Sequence, residues 1–200
     1  IKFLSVTSYE SNPLTSLIRN MSKSITLKSL ELIIDHFISD LGFSIEELVK
    51  ADILDELCII FSRNEKSLRV RQSPFEVIEI LNLTKLVLVK TPKEWTNDII
   101  RGLNIEDLRE FYLESVPLSR EQCFSISHSL KNHKKLGSLT LKDCKVNVAI
   151  QVPESLQYLD LGYNNISNQE FEELVENLRT IKGKFSLNLE ANHINSLCMD

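Results

Sequence analysis

The sequence predicts an α/β fold made by repetition, a single parallel sheet with one short strand per repeat and helices in the return segments. Three observations predict it. The stretch 155–171, SLQYLDLGYNNISNQEF, sets Leu156, Leu159, Leu161, Asn164 and Ile166 at offsets of three, two, three and two. The template L-x-x-L-x-L-x-x-N-x-I recurs with substitutions, and its fourth position falls at residues 4, 30, 57, 86, 111, 139, 159 and 187, intervals of 26, 27, 29, 25, 28, 20 and 28. The segments between these matches carry helix-start signals. A fixed period of 20–50 residues marks a stacked repeat protein, because one unit cannot bury its apolar face alone.

The elements follow in order. IKFLSVTSY sets Ile1, Leu4, Val6 and Tyr9 on the template, and NPLTSLIRNMSK then has Pro13 near a helix start with Leu14, Leu17 and Ile18 on one face. LKSLELIID offers Leu27, Leu30, Leu32 and Asp35, followed by SIEELVKAD, where Ser44 and Glu47 have capping-box spacing. LDELCIIFS offers Leu54, Leu57, Ile59 and Ser62, and SPFEVIEIL opens with Ser73 as N-cap and Pro74 as first helical residue. LTKLVLVKT offers Leu83, Leu86, Leu88 and Thr91, and TPKEWTNDIIRGL repeats that start at Thr91 and Pro92.

LREFYLESVPL offers Leu108, Phe111, Leu113, Val116 and Leu118; the helix in SREQCFSISHSLKNH then places Cys123, Phe124, Ser127 and Leu130 on one face. LGSLTLKDCKV offers Leu136, Leu139, Leu141, Cys144 and Val146, with Cys144 in the Asn slot. The next segment, KDCKVNVAIQVPES, is too short for a helix and contains Pro153, so this repeat should lack one. After 155–171, the helix in SNQEFEELVENLRTIKG runs from a Ser167 cap through Phe171, Leu174, Val175 and Leu178 to a stop at Gly183. KFSLNLEANHI closes the series with Leu187, Leu189, Asn192 and Ile194, losing only the first position to Lys184.

This unit resembles the leucine-rich repeat family, in its ribonuclease-inhibitor-like subtype with long, helix-containing repeats. The resemblance spans essentially the whole chain and is most specific at 156–166 and 187–194. It implies a horseshoe solenoid of about eight repeats, with the parallel sheet on the concave side and helices on the convex side. Residues 1–200 then form a single leucine-rich repeat domain, expected to be a segment of a longer protein. Asn164 and Asn192 are expected to form a structural ladder, since a buried amide can both donate to and accept from backbone groups at the turn out of each strand.

In such an architecture the template's third, fifth and seventh residues face away from the core. Ile33, Ile60 and Val89 share the seventh position, and Cys58, Val87 and Tyr112 share the fifth. With Tyr158, Glu110 and Glu114 they form the candidate partner-binding surface. Glu31, Glu56, Glu110 and Glu114 should rim its apolar centre with acid. Apolar side chains gathered on a surface usually mark interaction sites. The resemblance implies a non-enzymatic scaffold that binds a partner protein on its concave sheet. The alternative is the recognition segment of a larger protein: a ubiquitin-ligase substrate receptor, an innate immune receptor or a bacterial effector. A GTPase-activating regulator fits less well, because no matching Arg motif is present.

Composition bounds the remaining classes. The 200 residues are 42% hydrophobic and 26% charged, with net charge -5, which disfavours a nucleic-acid partner. No apolar run reaches the roughly 18–20 residues of a membrane span, so no membrane partner is expected. No G-x-S-x-G, phosphate loop or HExxH occurs, and no catalytic residue, cofactor or small-molecule substrate is expected. Cys58, Cys123, Cys144 and Cys198 form no C-x-x-C and no pairing with His36, His128, His133 or His193, so reduced thiols are expected and no metal site. The expected compartment is intracellular, cytoplasm or nucleus, with an extracellular one left open. Sequons at Asn20, Asn82 and Asn165 are about as many as chance supplies. Ile1, Leu4 and Val6 at one end, and Leu197, Cys198 and Met199 at the other, lack a polar cap, so both ends are expected to be covered by other residues or another chain.

Overall fold

A computed structural model describes residues 3–8, 20, 27–34, 54–62, 83–102 and 107–195. The apolar alternation at the fourth and sixth template positions forms strands wherever it is described. These are β1 (Phe3–Ser8), β2 (Ser29–Ile34), β3 (Glu56–Phe61), β4 (Lys85–Val89), β5 (Glu110–Glu114), β6 (Ser138–Lys142), β7 (Tyr158–Asp160) and β8 (Ser186–Asn188). All eight lie in one sheet in chain order, and every pair is parallel. The fourth positions stand side by side from Leu4 and Leu30 through to Leu159 and Leu187. A slip of one residue would turn every side chain to the opposite face. The register is the one the template spacing predicts.

The backbone enters β3 to β7 the same way. The carbonyl at the template's second position accepts from the second and third N–H groups of the next repeat. Lys28 O accepts from Asp55 N at 2.8 Å and Glu56 N at 3.0 Å, and Gly137 O from Gln157 N at 2.8 Å and Tyr158 N at 3.0 Å. Asp55, Thr84 and Arg109 repeat the arrangement. The exit is shared from β4 onward, whereas Ser8, Ile34 and Phe61 at the same position stay within their strands. Lys90, Ser115, Asp143, Tyr163 and Ala191, all at the eighth position, take left-handed conformations with φ of 52–58°. That turn carries the chain out of the sheet just before the Asn slot.

Leu30, Leu57, Leu86, Phe111, Leu139 and Leu159 are buried in one apolar cluster. A fully buried Leu contributes about 1.5–3 kcal/mol. Helices join the same cluster. A 3-10 turn, Lys93–Trp95, leads into α1 (Thr96–Gly102), which contributes Ile99. Helix α2 (Arg120–Leu130) contributes Cys123, Ile126 and Leu130, and α3 (Asn168–Leu178) contributes Leu174. The described helices therefore lie on the core side, and the third, fifth and seventh positions occupy the other face.

No helix intervenes between β6 and β7, as the 20-residue interval predicts. An extended segment buries Val146, Val148, Ile150 and Val152 instead. Alternate residues of that segment fill the core where a helix would otherwise pack. Helix α1 packs directly on α2, whereas α2 and α3 stand apart across this segment.

Three local expectations are corrected. Phe124 is 52% exposed, and Ile126 takes its place on the inner face of α2. Phe124 points toward the repeat in which no helix joins β6 to β7, so no helix packs over it. Helix α3 ends at Leu178 with Arg179 right-handed, and Gly183 lies exposed beyond it, so the glycine is not the stop. Pro92, not Thr91, caps the 3-10 turn, because Thr91 is drawn into the buried Asn slot. The helices expected in 12–23, 44–52 and 73–81, and both chain ends, lie outside the described residues, apart from a single helical residue at Asn20.

Candidate functional site

The strand register assembles the candidate surface residue by residue. Ile33 pairs with Ile60 and Ile60 with Val89, a continuous apolar row at the seventh position. Cys58 pairs with Val87 and Val87 with Tyr112 at the fifth. All six are half-buried. With strands about 4.8 Å apart, β-branched neighbours cover much of one another. Tyr158 stands apart from this group on β7, at the third position.

The acidic rim differs from expectation. Lys85 Nζ lies 2.6 Å from Glu110 Oε2, and Lys142 Nζ lies 3.3 Å from Glu114 Oε1. The Tyr112 hydroxyl also donates to Glu114. Glu56, Lys85 and Glu110 are consecutive neighbours across β3, β4 and β5, so charge alternates along the row. The hydrogen bond to Glu110 raises the Lys85 pKa, with Glu56 adding to it. Glu114 raises that of Lys142. Burial, and then the bond to Glu114, raise the Tyr112 pKa, so its hydroxyl stays protonated. Burial also lifts the Cys58 thiol to about 11, leaving it un-ionised at neutral pH.

Beyond β5 the face is polar and connected, a feature the sequence reading passed over. Asp160 is buried and fully engaged. Its Oδ1 accepts from Gly162 N at 2.8 Å and Asn188 Nδ2 at 3.1 Å, and its Oδ2 from the Tyr158 hydroxyl at 3.2 Å. A Cβ at Gly162 would sit 3.1 Å from Asp160 Oδ1 and 3.2 Å from Asn188 Nδ2, so a side chain there would crowd the cluster. Tyr163 donates to Glu190 Oε1 at 3.0 Å, and the Lys142 ammonium lies 5.7 Å from the centre of its ring. The signal was available, since Thr140, Asp160 and Asn188 share the fifth position and form consecutive pairs. Along the described face Glu31, Glu56, Glu110, Glu114, Asp160 and Glu190 meet only Lys85 and Lys142, six carboxylates to two lysines.

The Asn slot lies at the edge of this face. Asn164 Oδ1 accepts from Cys144 N and Val146 N, both at 2.9 Å. Its Nδ2 donates to Leu141 O at 2.6 Å, Leu161 O at 2.9 Å and Gly162 O at 3.1 Å. Asn192 repeats the pattern, accepting from Ile166 N at 3.0 Å and donating to Leu161 O at 2.8 Å and Leu189 O at 3.0 Å. Cys144 imitates it with one atom, donating from Sγ to Leu113 O at 3.4 Å and Lys142 O at 3.2 Å. Burial raises its thiol to about 12.

Cys58, Cys123 and Cys144 are free thiols, and Cys198 lies outside the described residues. No group of three or more His, Cys, Asp or Glu among the described residues could hold a metal ion. No described helix is long and apolar enough to cross a membrane. Compared with protein-family models and with curated proteins, the chain matches none.

Proposed function

We propose that this chain is a leucine-rich repeat horseshoe of the ribonuclease-inhibitor-like subtype, a non-enzymatic scaffold that binds a partner protein on its concave sheet. One observation carries the reading. A single parallel sheet packs its fourth and sixth positions against helices and extended core segments, while its third, fifth and seventh positions offer apolar, aromatic and acidic side chains in register. A surface of that kind suits a protein partner better than a small substrate, because it is broad rather than a deep, enclosed pocket. The excess of carboxylates selects a partner segment with Lys or Arg beside apolar residues, chiefly by steering and specificity.

The test is affinity capture with the wild-type chain, followed by titration of the captured partner against variants whose folding circular dichroism confirms. Val89→Asp and Tyr112→Ala should each weaken binding by about 1–2 kcal/mol or more, as interface anchors do. Glu172→Lys, on the opposite side, should leave affinity unchanged. Unchanged affinity for both sheet variants would move the interface off the sheet.

A further inference from the structure

The repeat without a helix leaves a groove. Helices α2 and α3 flank it, and the extended segment between β6 and β7 forms its floor. The groove has a volume of about 340 Å³ and is lined by Phe124 and Ser127 of α2, Ala149 and Gln151 of the floor, and Glu173, Glu176 and Asn177 of α3. Its floor is held in place. Ser127 Oγ accepts from Gln151 N at 2.8 Å, and Asn177 Nδ2 donates to Ile150 O at 3.3 Å. The Phe124 ring is more than half exposed although it stands on a helix whose other apolar residues are buried. The Arg120 guanidinium lies over that ring at 5.6 Å from its centre without covering it.

The opposite wall is acidic. Helix α3 carries Glu170, Glu172, Glu173 and Glu176 and no Lys or Arg within its bounds. The groove lining contains two carboxylates and no cation. Glu173 accepts from Gln169 at 3.2 Å, and Glu176 pairs with Arg179 at 2.9 Å, both interactions at the surface. Exposed pairs of this kind are weak and exchange readily for another cation.

We infer that this groove is a second docking surface, separate from the sheet, for a basic amphipathic segment of a partner protein. An aliphatic side chain of that segment rests on Phe124 over Ala149, and a Lys or Arg about one helical turn away meets Glu173 and Glu176. Such a segment supplies the apolar cover that the missing helix would have given and the cations that the wall lacks. Side chains three or four apart on a helix share one face, so one segment meets both requirements.

The test uses a fluorescein-labelled amphipathic peptide of Leu, Lys and Ala at helical spacing, titrated against the whole 200-residue chain and followed in parallel by amide chemical shifts. The expected footprint covers α2, residues 147–151 and α3. Phe124→Ser should weaken binding about tenfold or more, as loss of an aromatic anchor does. The double variant Glu173→Lys, Glu176→Lys, whose positions are solvent-facing, should weaken it about as much and flatten its salt dependence. Val89→Asp on the sheet should leave the shifts in α2, residues 147–151 and α3, and their titration, unchanged. Wild-type affinity in both the folded Phe124→Ser and the folded double variant, a footprint confined to the sheet face, or no binding by the wild type would each overturn the inference. The sheet reading stands or falls separately, on Val89→Asp and Tyr112→Ala with the captured partner.

Discussion

At the scale of single residues, one slot meets one demand with different chemistry along the chain. Asn164 joins five backbone groups from two repeats, so Asn164→Ala leaves several buried donors and acceptors without partners. The expected cost is about 1–3 kcal/mol. Thr91 fills the same slot fully buried, yet among the described residues its hydroxyl has no hydrogen-bond partner. Thr91→Val keeps the shape and removes an unsatisfied group, so it should be neutral or stabilising by up to about 1 kcal/mol. Denaturant midpoints of the two variants test the pair; a Thr91→Val loss matching that of Asn164→Ala would mean that the Thr91 hydroxyl is hydrogen-bonded in the folded protein and fills the slot as Asn164 does. Asn164 and Asn192 were legible in the sequence because an amide at fixed offsets among leucines has few other uses. The half-burial of Ile60 and Val89, and the lysines that pair with Glu110 and Glu114, were not, since both depend on what stands on the neighbouring strand.

At the scale of elements, strands were more legible than helix ends. Strand register follows from a period of two against a buried face, and all eight fourth positions align as spaced. Phe124 was misplaced because helical spacing defines a face but not which neighbour is present to cover it. The two long helices start on capping boxes of different chemistry. In α2, Gln122 N donates to Ser119 Oγ at 3.2 Å and Ser119 N donates to Gln122 Oε1 at 2.8 Å. In α3, Ser167 N donates to Glu170 Oε2 at 3.0 Å, and its hydroxyl donates to the same oxygen. The Ser167 hydroxyl holds the Glu170 pKa below its ordinary 4.5. A carboxylate whose pKa falls on folding stabilises above the unfolded value, and that contribution disappears as pH drops through the folded one. Ser119→Ala and Ser167→Ala should each cost about 1 kcal/mol at pH 7. At about pH 3 the Ser167→Ala penalty should shrink while that of Ser119→Ala persists, because Gln122 does not titrate. Urea melts at the two pH values separate these outcomes, and a Ser167→Ala penalty unchanged in acid would remove Glu170 from the cap.

For the whole molecule, stacking makes stability local, because each repeat packs chiefly on its two neighbours. Fourth-position residues are buried from Leu30 on β2 to Leu159 on β7, but Leu4 on β1 and Leu187 on β8 are only half-buried. Phe171, Leu178, Ile181, Phe185, Leu189 and Ile194, around β8, are also only partly covered. A strand with apolar neighbours on both sides opens only when those neighbours loosen, whereas a strand packed on one side can fray alone. Amide exchange should therefore be slowest in β4, β5 and β6 and fastest in β1 and β8, since exchange reports the free energy of local opening. The helix-free repeat provides a second check within the same experiment. Val146, Val148, Ile150 and Val152 fill its core from an extended segment, so β6 and β7 should be protected although no helix joins them. Thr91, buried without a partner among the described residues, places the weaker point between β4 and α1 instead. Exchange measured by mass spectrometry on overlapping peptides resolves both patterns. Protection in β8 equal to that in β5 would mean that a second copy or another chain covers that end, and faster exchange in β6 than in β1 would mean that the extended segment does not replace the missing helix.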